Sequence, residues 1–304
     1  MKIASVTGAS GMIGRRIVQR LLTDGYRVRA LDIRLDGRDP EIEPFQGDIG
    51  DEQILKPFLR DADLVFHCAA ELRDESRMWD VNVTATEKLV KLIEASGVEY
   101  FCHLSSAGVV GRTKVQWVDE ETECNPQNVY ERSKWAAEQL VAKGIEGCRI
   151  AILRPTNVVD AMRPGPLHLP LDGSLVERLK LFVKGGECAH IVHAENVAEA
   201  AMYFMSRPVE SPACFFVSCD HEPLNTYAGV WALYRALKAG QPADEVRPVL
   251  HLPWMVPYVL RSLWRGMGNR GDVRYSSKKL LSVGFQFPYD LEATVKSLLH
   301  GMAS

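Results

Sequence analysis

The chain has 304 residues, 46% of them hydrophobic and 25% charged, with a net charge of −3; this allows one large globular domain or two modest ones and excludes the broad basic surface that holds nucleic acid. Seven cysteines, at 68, 102, 124, 148, 188, 214 and 219, are odd in number and form no CxxC pair, so reduced thiols and a cytoplasmic setting are expected. The first strand-like run starts almost at residue 1, with no room for a signal peptide, and no uninterrupted apolar run reaches membrane-spanning length.

KIASVT reads as a short buried strand, TGASGMIG follows as a glycine-rich turn, and Ile13, Ile17, Val18, Leu21 and Leu22 recur at helical spacing. A strand, such a turn and a helix together let a pyrophosphate approach the backbone and meet the free amides of the helix start. Gly8, Ser10, Gly11, Met12, Ile13 and Gly14 are therefore expected to hold a dinucleotide. Asp32 closes the next strand, RVRALD, 18 residues after Gly14, where its carboxylate can accept hydrogen bonds from an adenosine ribose and would repel a 2′-phosphate. NAD is favoured, with Ile33 and Arg34 beside Asp32. NADP stays open, because the guanidinium of Arg34 or Arg15 could attract the extra phosphate.

ADLVFHCAA, EYFCHLSS and CRIAILRPT read as further strands, separated by helical segments such as TATEKLVKLIEAS. The alternation predicts an α/β fold, a doubly wound parallel sheet with crossover helices on both faces. Within NVYERSKWAAEQL, Tyr130 and Lys134 are four apart on a helical stretch, so both project from one face. Many helices carry such a pair by chance. After Arg154 the run AMRPGPLHLPLDG, 161–173, is dense in proline and glycine and reads as an irregular excursion. HIVHAENVAEAAMYFM and ACFFVSC then return to helix and strand. The expected domains are interleaved: 1–155 with 189–220 for the dinucleotide, and 156–188 with 221–304 for a smaller substrate domain.

With these come GDIGD at 47–51, HCAA at 67–70, VNVTATEKL at 81–89, LSSAGVVG at 104–111, YERSK at 130–134, LRPTNVV at 153–159 and VHAENVAEA at 192–200. In these ordered motifs the sequence resembles the extended short-chain dehydrogenases/reductases, the NAD-dependent epimerase/dehydratase group, over nearly its whole length. The resemblance implies a Rossmann-type domain in which Asp48 and Ile49 flank the adenine, Ala69 and Ala70 lie along the cofactor and Asn82 sits near the nicotinamide end. Ser105, Tyr130, Lys134 and Pro155 are also expected against the cofactor. It implies a catalytic Ser106, Tyr130 and Lys134, with Ser105 as the substitute for Ser106. A free tyrosine titrates near pH 10, and the Lys134 ammonium is expected to lower that value and to hold nicotinamide-ribose hydroxyls. Ser106 would donate to the substrate oxygen while Tyr130 exchanges its proton.

The same resemblance addresses the substrate. Asn157 stands in an RxxN-like place and Arg270, in NRGDVRYSSKKL, looks like the C-terminal arginine that meets the diphosphate of a nucleotide sugar. Reduction of a 4-keto sugar or epimerisation at that carbon is implied, with reduction slightly ahead. Dehydration is disfavoured, because Ala107 and Gly108 follow Ser106 where dehydratases carry an acidic pair. Against the sugar, Ala189 and His190 replace a usual arginine, Val110 a usual tyrosine, and DAM follows RPTNVV where YGP is common. The segment LHLPWMVPYVLRSLW, 250–264, could wall an apolar pocket, although its prolines and Arg261 argue against a membrane span. A reductase of a hydrophobic ketone or alcohol, hydroxysteroid- or dihydroflavonol-like, is the alternative, and a non-catalytic NAD(P)-binding protein is a third reading. His168, His190, His193 and His221 lack zinc spacing and are read as structural or pocket residues. The helices at 83–96 and 127–143 are expected, by analogy, to pair two copies into a homodimer.

Overall fold

The computed structural model describes residues 1–35, 40–161, 174–207, 211–243, 246–247, 249–265 and 270–301. All but the first residue of the proline- and glycine-dense run 161–173, His168 included, lies outside the described residues. The strands are β1 (Ile3–Thr7), β2 (Arg27–Asp32), β3 (Ile42–Gln46), β4 (Leu64–His67), β5 (Tyr100–Leu104), β6 (Trp117–Val118), β7 (Arg149–Pro155), β8 (Asn157–Val159), β9 (Ile191–His193), β10 (Ala213–Val217) and β11 (Arg274–Tyr275). The helices are α1 (Gly14–Thr23), α2 (Glu52–Leu59), α3 (Glu75–Trp79), α4 (Ala85–Glu94), α5 (Val129–Val141), α6 (Leu175–Lys184), α7 (Ala194–Tyr203), α8 (Tyr227–Lys238), α9 (Met255–Arg265), α10 (Lys278–Ser282) and α11 (Leu291–Gly301).

Seven strands form one sheet in the order β10-β7-β5-β4-β1-β2-β3, with parallel registers between β1 and β2, β1 and β4, β2 and β3, β4 and β5, and β5 and β7. Every residue of β4 and β5 is buried. That is why LVFH and YFCHL show continuous apolar character rather than alternation: helices cover both faces of a parallel sheet. The chain leaves β1 toward β2 and β3, then returns to β4 and runs the other way. The reversal opens a crevice at the carboxyl ends of β1 and β4, the place where such sheets bind ligands. Leu55, Phe58, Phe101, Ile150 and Ile152, none above 1% exposed, fill the core beside it. Each fully buried side chain of this size contributes about 1.5–3 kcal/mol.

Contacts divide the chain into two compact units, Met1–Val110 with Pro126–Arg154 and Val197–Phe215, and Gly111–Asn125 with Pro155–Asn196 and Phe216–Ser304. The boundaries differ from those read in the sequence chiefly at 111–125 and 189–196. The first segment goes with the second unit because β6 pairs in parallel with β11, and the second because β9 pairs with β8. Short strands of two or three residues carry too few side chains for periodicity to show their partners. The second unit has its own core, in which Val159 and Ile191 meet Trp231 and Tyr234 of α8 and Leu291 and Leu298 of α11. Among the described residues no helix is long and apolar enough to cross a membrane.

Candidate active site

The glycine turn follows from backbone necessity. Gly8 has φ +64°, and a Cβ there would stand 2.6 Å from the Ala69 nitrogen; a Cβ on Gly14 would stand 2.2 Å from the Gly8 carbonyl oxygen. Only glycine fits either position. No side chain caps the start of α1, where the Arg15 N–H donates to the Gly11 carbonyl at 3.1 Å and the Arg16 N–H to the Ile13 carbonyl at 3.0 Å, so the positive end of the helix carries no covering side chain. The Asp32 carboxylate accepts the Ser10 N–H at 3.0 Å and the Arg34 N–H at 3.3 Å, and the Ser10 hydroxyl donates to the Arg34 carbonyl at 2.7 Å. Asp32 is thereby fixed, half-buried, one strand away from the turn, with Ile33 and Arg34 exposed beside it. A cradle without side chains, an uncapped helix and a fixed carboxylate fit the pyrophosphate and ribose of a dinucleotide.

Farther along the crevice the predicted contacts divide. Ala69 and Ala70 follow β4, and the Ala69 N–H donates to Thr7 Oγ1 at 3.3 Å, which keeps this loop against the glycine turn. Asp48 holds the Gly50 N–H at 2.8 Å and the Arg77 guanidinium at 2.9 Å. Ile49 is 4% exposed and its side chain belongs to the core. Asn82, on the π-turn between α3 and α4, has both amide protons committed: Nδ2 donates to the Glu71 carbonyl at 3.0 Å and to Ser133 Oγ at 2.9 Å, while Oδ1 accepts the Glu71 N–H at 2.8 Å. It braces the loop after β4 against α5. Pro155 is buried at the end of β7.

The α5 helix starts on a capping box, with Asn128 accepting from the Glu131 N–H at 2.8 Å and Glu131 reaching back, so Tyr130 enters on a fixed first turn. Ser106, two residues past the end of β5, stands near the Tyr130 phenol. One turn on, Lys134 is 3% exposed and its ammonium donates to the Leu104 carbonyl at 2.5 Å. Burial lowers the Lys134 pKa to about 8, with Glu138 and Cys68 acting the other way. Tyr130 corrects the expectation that the ammonium makes the phenol more acidic. Its pKa is raised, burial being the largest cause; Ser106 pulls it down, Glu131 pushes it up, and Lys134 is not among the causes. The penalty for a buried phenolate outweighs what its neighbours return.

Two residues that periodicity did not single out stand under this pair. The Glu138 carboxylate receives Arg154 Nη2 at 2.6 Å and Nε at 3.1 Å, and the Ser105 hydroxyl at 2.5 Å. Side chains of Arg154 and Glu138 are 5% and 3% exposed. The cluster ties α5 to the ends of β5 and β7 and commits the Ser105 hydroxyl, which leaves Ser106 as the serine facing Tyr130. The one hint in the sequence was spacing: Glu138 follows Tyr130 and Lys134 by eight and four residues on the same helical face. Behind Lys134, His67 is held between Thr7 Oγ1 at 2.8 Å and Thr86 Oγ1 at 2.9 Å. Burial drives its pKa down to about 3 and drives that of His103 down as well.

In the second unit, Asn157 donates through Nδ2 to the Ala189 carbonyl at 2.9 Å, and its N–H donates to the His190 carbonyl at 2.9 Å. Arg270 forms a two-point pair with Asp272 at 2.7 and 2.9 Å, its guanidinium 5.0 Å above the Trp254 ring. A diphosphate would therefore compete with Asp272 for that fork. In the segment 250–264, whose side chains are described as far as residue 260, Met255, Val256, Val259 and Leu260 are 40–58% exposed.

The profile of the NAD dependent epimerase/dehydratase family matches residues 4–214. Over 308 residues, 93% of this chain and 90% of the other, the N-acetyl-alpha-D-glucosaminyl-diphospho-ditrans,octacis-undecaprenol 4-epimerase of Escherichia coli O157:H7 is 29% identical. The decarboxylating sterol-4-alpha-carboxylate 3-dehydrogenase of Mus musculus is 25% identical over 276 residues, 86% of this chain and 74% of its own. An uncharacterized protein of Sinorhizobium fredii is 34% identical over 211 residues, 66% of this chain; the match spans about half, 53%, of that protein. Among solved structures, a short-chain dehydrogenase/reductase superfamily protein from Agrobacterium tumefaciens with bound NAD shares the fold with a TM-score of 0.77 at 20% identity, over 99% of this chain and 97% of its own.

Proposed function

We propose, from the premise that this chain belongs to the NAD-dependent epimerase/dehydratase family, that it reduces a 4-keto sugar or epimerises a sugar at C4, the sugar being carried on a nucleoside diphosphate. The observation that carries the reading is a phenol, Tyr130, with Ser106 near it and the buried Lys134 ammonium one helical turn beyond. NAD bound along Gly8, Gly11, Gly14 and Asp32 would supply the redox chemistry. Ser106 donates to the substrate oxygen. Tyr130, whose pKa is raised, is a neutral phenol at physiological pH and so stands ready to give its proton to a ketone oxygen, which favours reduction. Lys134, with a pKa of about 8, is mostly charged at neutral pH and can hold the hydroxyls of the nicotinamide ribose.

The name of the Escherichia coli relative supports a sugar joined through a diphosphate. A second reading, a hydrophobic alcohol or ketone, is supported by the name of the mouse relative, a sterol dehydrogenase. Thermal shift in the presence of NAD(H) separates the two, since a ligand raises stability according to its affinity and concentration. UDP- and TDP-linked sugars should raise the melting temperature further than NAD(H) alone. A response confined to sterol-like ketones would replace the sugar with the second reading.

A further inference from the structure

The second unit carries two helices built the wrong way round for a surface facing water. On α9, Met255, Val256, Val259 and Leu260 are 56, 40, 51 and 58% exposed. Their spacing of one, three and one residues puts them on one stripe. On α6, Leu175, Val176, Leu179 and Phe182 are 82, 63, 64 and 39% exposed, again one stripe. The two are joined, because the Leu252 N–H, just before α9, donates to the Phe182 carbonyl of α6 at 2.7 Å, and Leu250 beside this junction is 85% exposed. A soluble monomer seldom leaves so many neighbouring large apolar side chains in water.

The charges that these two helices carry in sequence point to the occupant. Residues 175–184 hold Arg178, Lys180 and Lys184 against Glu177, and α9, residues 255–265, holds Arg261 and Arg265 with no acidic residue, in a chain whose net charge is −3. Apolar stripes with a local basic excess on a chain that is otherwise acidic match an anionic lipid surface: apolar groups enter the acyl boundary and cations meet the headgroups. A second copy paired through the same face would set these like charges against one another. We propose that the α6–α9 face of the second unit docks on an anionic phospholipid bilayer, holding the protein at a membrane surface without crossing it. The proposal goes beyond the reaction above and stands or falls separately from it.

The test is co-sedimentation of the full chain with vesicles of phosphatidylcholine alone and of phosphatidylcholine with phosphatidylglycerol, at low and high salt. Wild type should sediment with the anionic vesicles, less so at high salt, and little with the neutral ones. The variant Val259→Glu/Leu260→Glu should partition about tenfold more weakly or worse, as two exposed apolar side chains no longer enter lipid; Leu179→Glu should weaken binding in the same direction. Both changes are at exposed positions, and an unchanged NAD-induced thermal shift shows that the fold survives. No sedimentation with anionic vesicles, equal sedimentation with neutral ones, or variants that bind like wild type would overturn the proposal. So would light scattering showing a wild-type dimer that these variants split, which would assign the face to a second copy.

Discussion

Glu138→Gln is the perturbation that probes the ground under the Tyr130–Lys134 pair. The carboxylate and Arg154 are buried to 3% and 5% exposure and meet through two bonds at 2.6 and 3.1 Å. Neutralising one partner leaves a guanidinium charged and poorly compensated in the interior, a loss of about 3–5 kcal/mol. There is a second effect. Glu138 is the largest influence holding the Lys134 pKa up against burial, so its removal lets Lys134 fall below about 8. A drop of about one unit would take the ammonium from roughly nine-tenths to half protonated at neutral pH. Urea unfolding of wild type, Glu138→Gln and the apolar pair Glu138→Leu/Arg154→Met measures the first effect, and the double variant should recover most of what the single one loses. A Glu138→Gln protein within about 1 kcal/mol of wild type would refute the argument that this buried pair anchors α5.

Gly8→Ala should weaken NAD at least about tenfold by calorimetry, because a Cβ at φ +64° would sit 2.6 Å from the Ala69 nitrogen and the left-handed backbone alone costs about 1–2 kcal/mol; Gly25→Ala, at φ +78° with nothing within 4 Å, should leave NAD binding unchanged. Stability should fall on acidification. His67 has its folded pKa depressed from 6.5 to about 3, so its contribution is complete above pH 6.5 and is lost as pH falls toward 3, amounting to about 2 kcal/mol by pH 5. His103 adds to the same slope; urea midpoints that stay flat between pH 6.5 and 5 would contradict this. Asn82→Ala removes three hydrogen bonds around Glu71 and Ser133 and should cost about 2–3 kcal/mol in the same assay.

What the sequence reveals depends on how local the cause is. Gly8 and Gly14 are legible because a positive φ and a backbone contact tolerate no other residue, and Asp32 because it ends a strand at a fixed distance from them. Tyr130 and Lys134 are legible as a pair through helical spacing. Glu138 is not, because a carboxylate in the third turn of a charged helix reads as a solvated residue until β5 and β7 bring Ser105 and Arg154 onto it. Asn82 stands out in its motif, but whether its amide serves a ligand or braces α5 depends on Glu71 and Ser133, which are 11 residues before and 51 after it. The rise in the Tyr130 pKa was equally hidden: spacing gives the distance to a charge, whereas desolvation depends on everything packed around the phenol. The apolar content of 250–264 was visible, yet its direction was not, since a stripe facing solvent and one facing a core have the same period.

The phenol is tested most directly by turnover of Tyr130→Phe with the substrate that the thermal-shift screen selects, followed through NADH absorbance for a reduction and by chromatography of the two epimers for an epimerisation, and paired with NAD affinity measured by calorimetry. NAD affinity should stay close to wild type and the rate should fall by about 10²–10⁴. Tyr130→Phe turning over at the wild-type rate would remove the phenol from the chemistry and contradict the account.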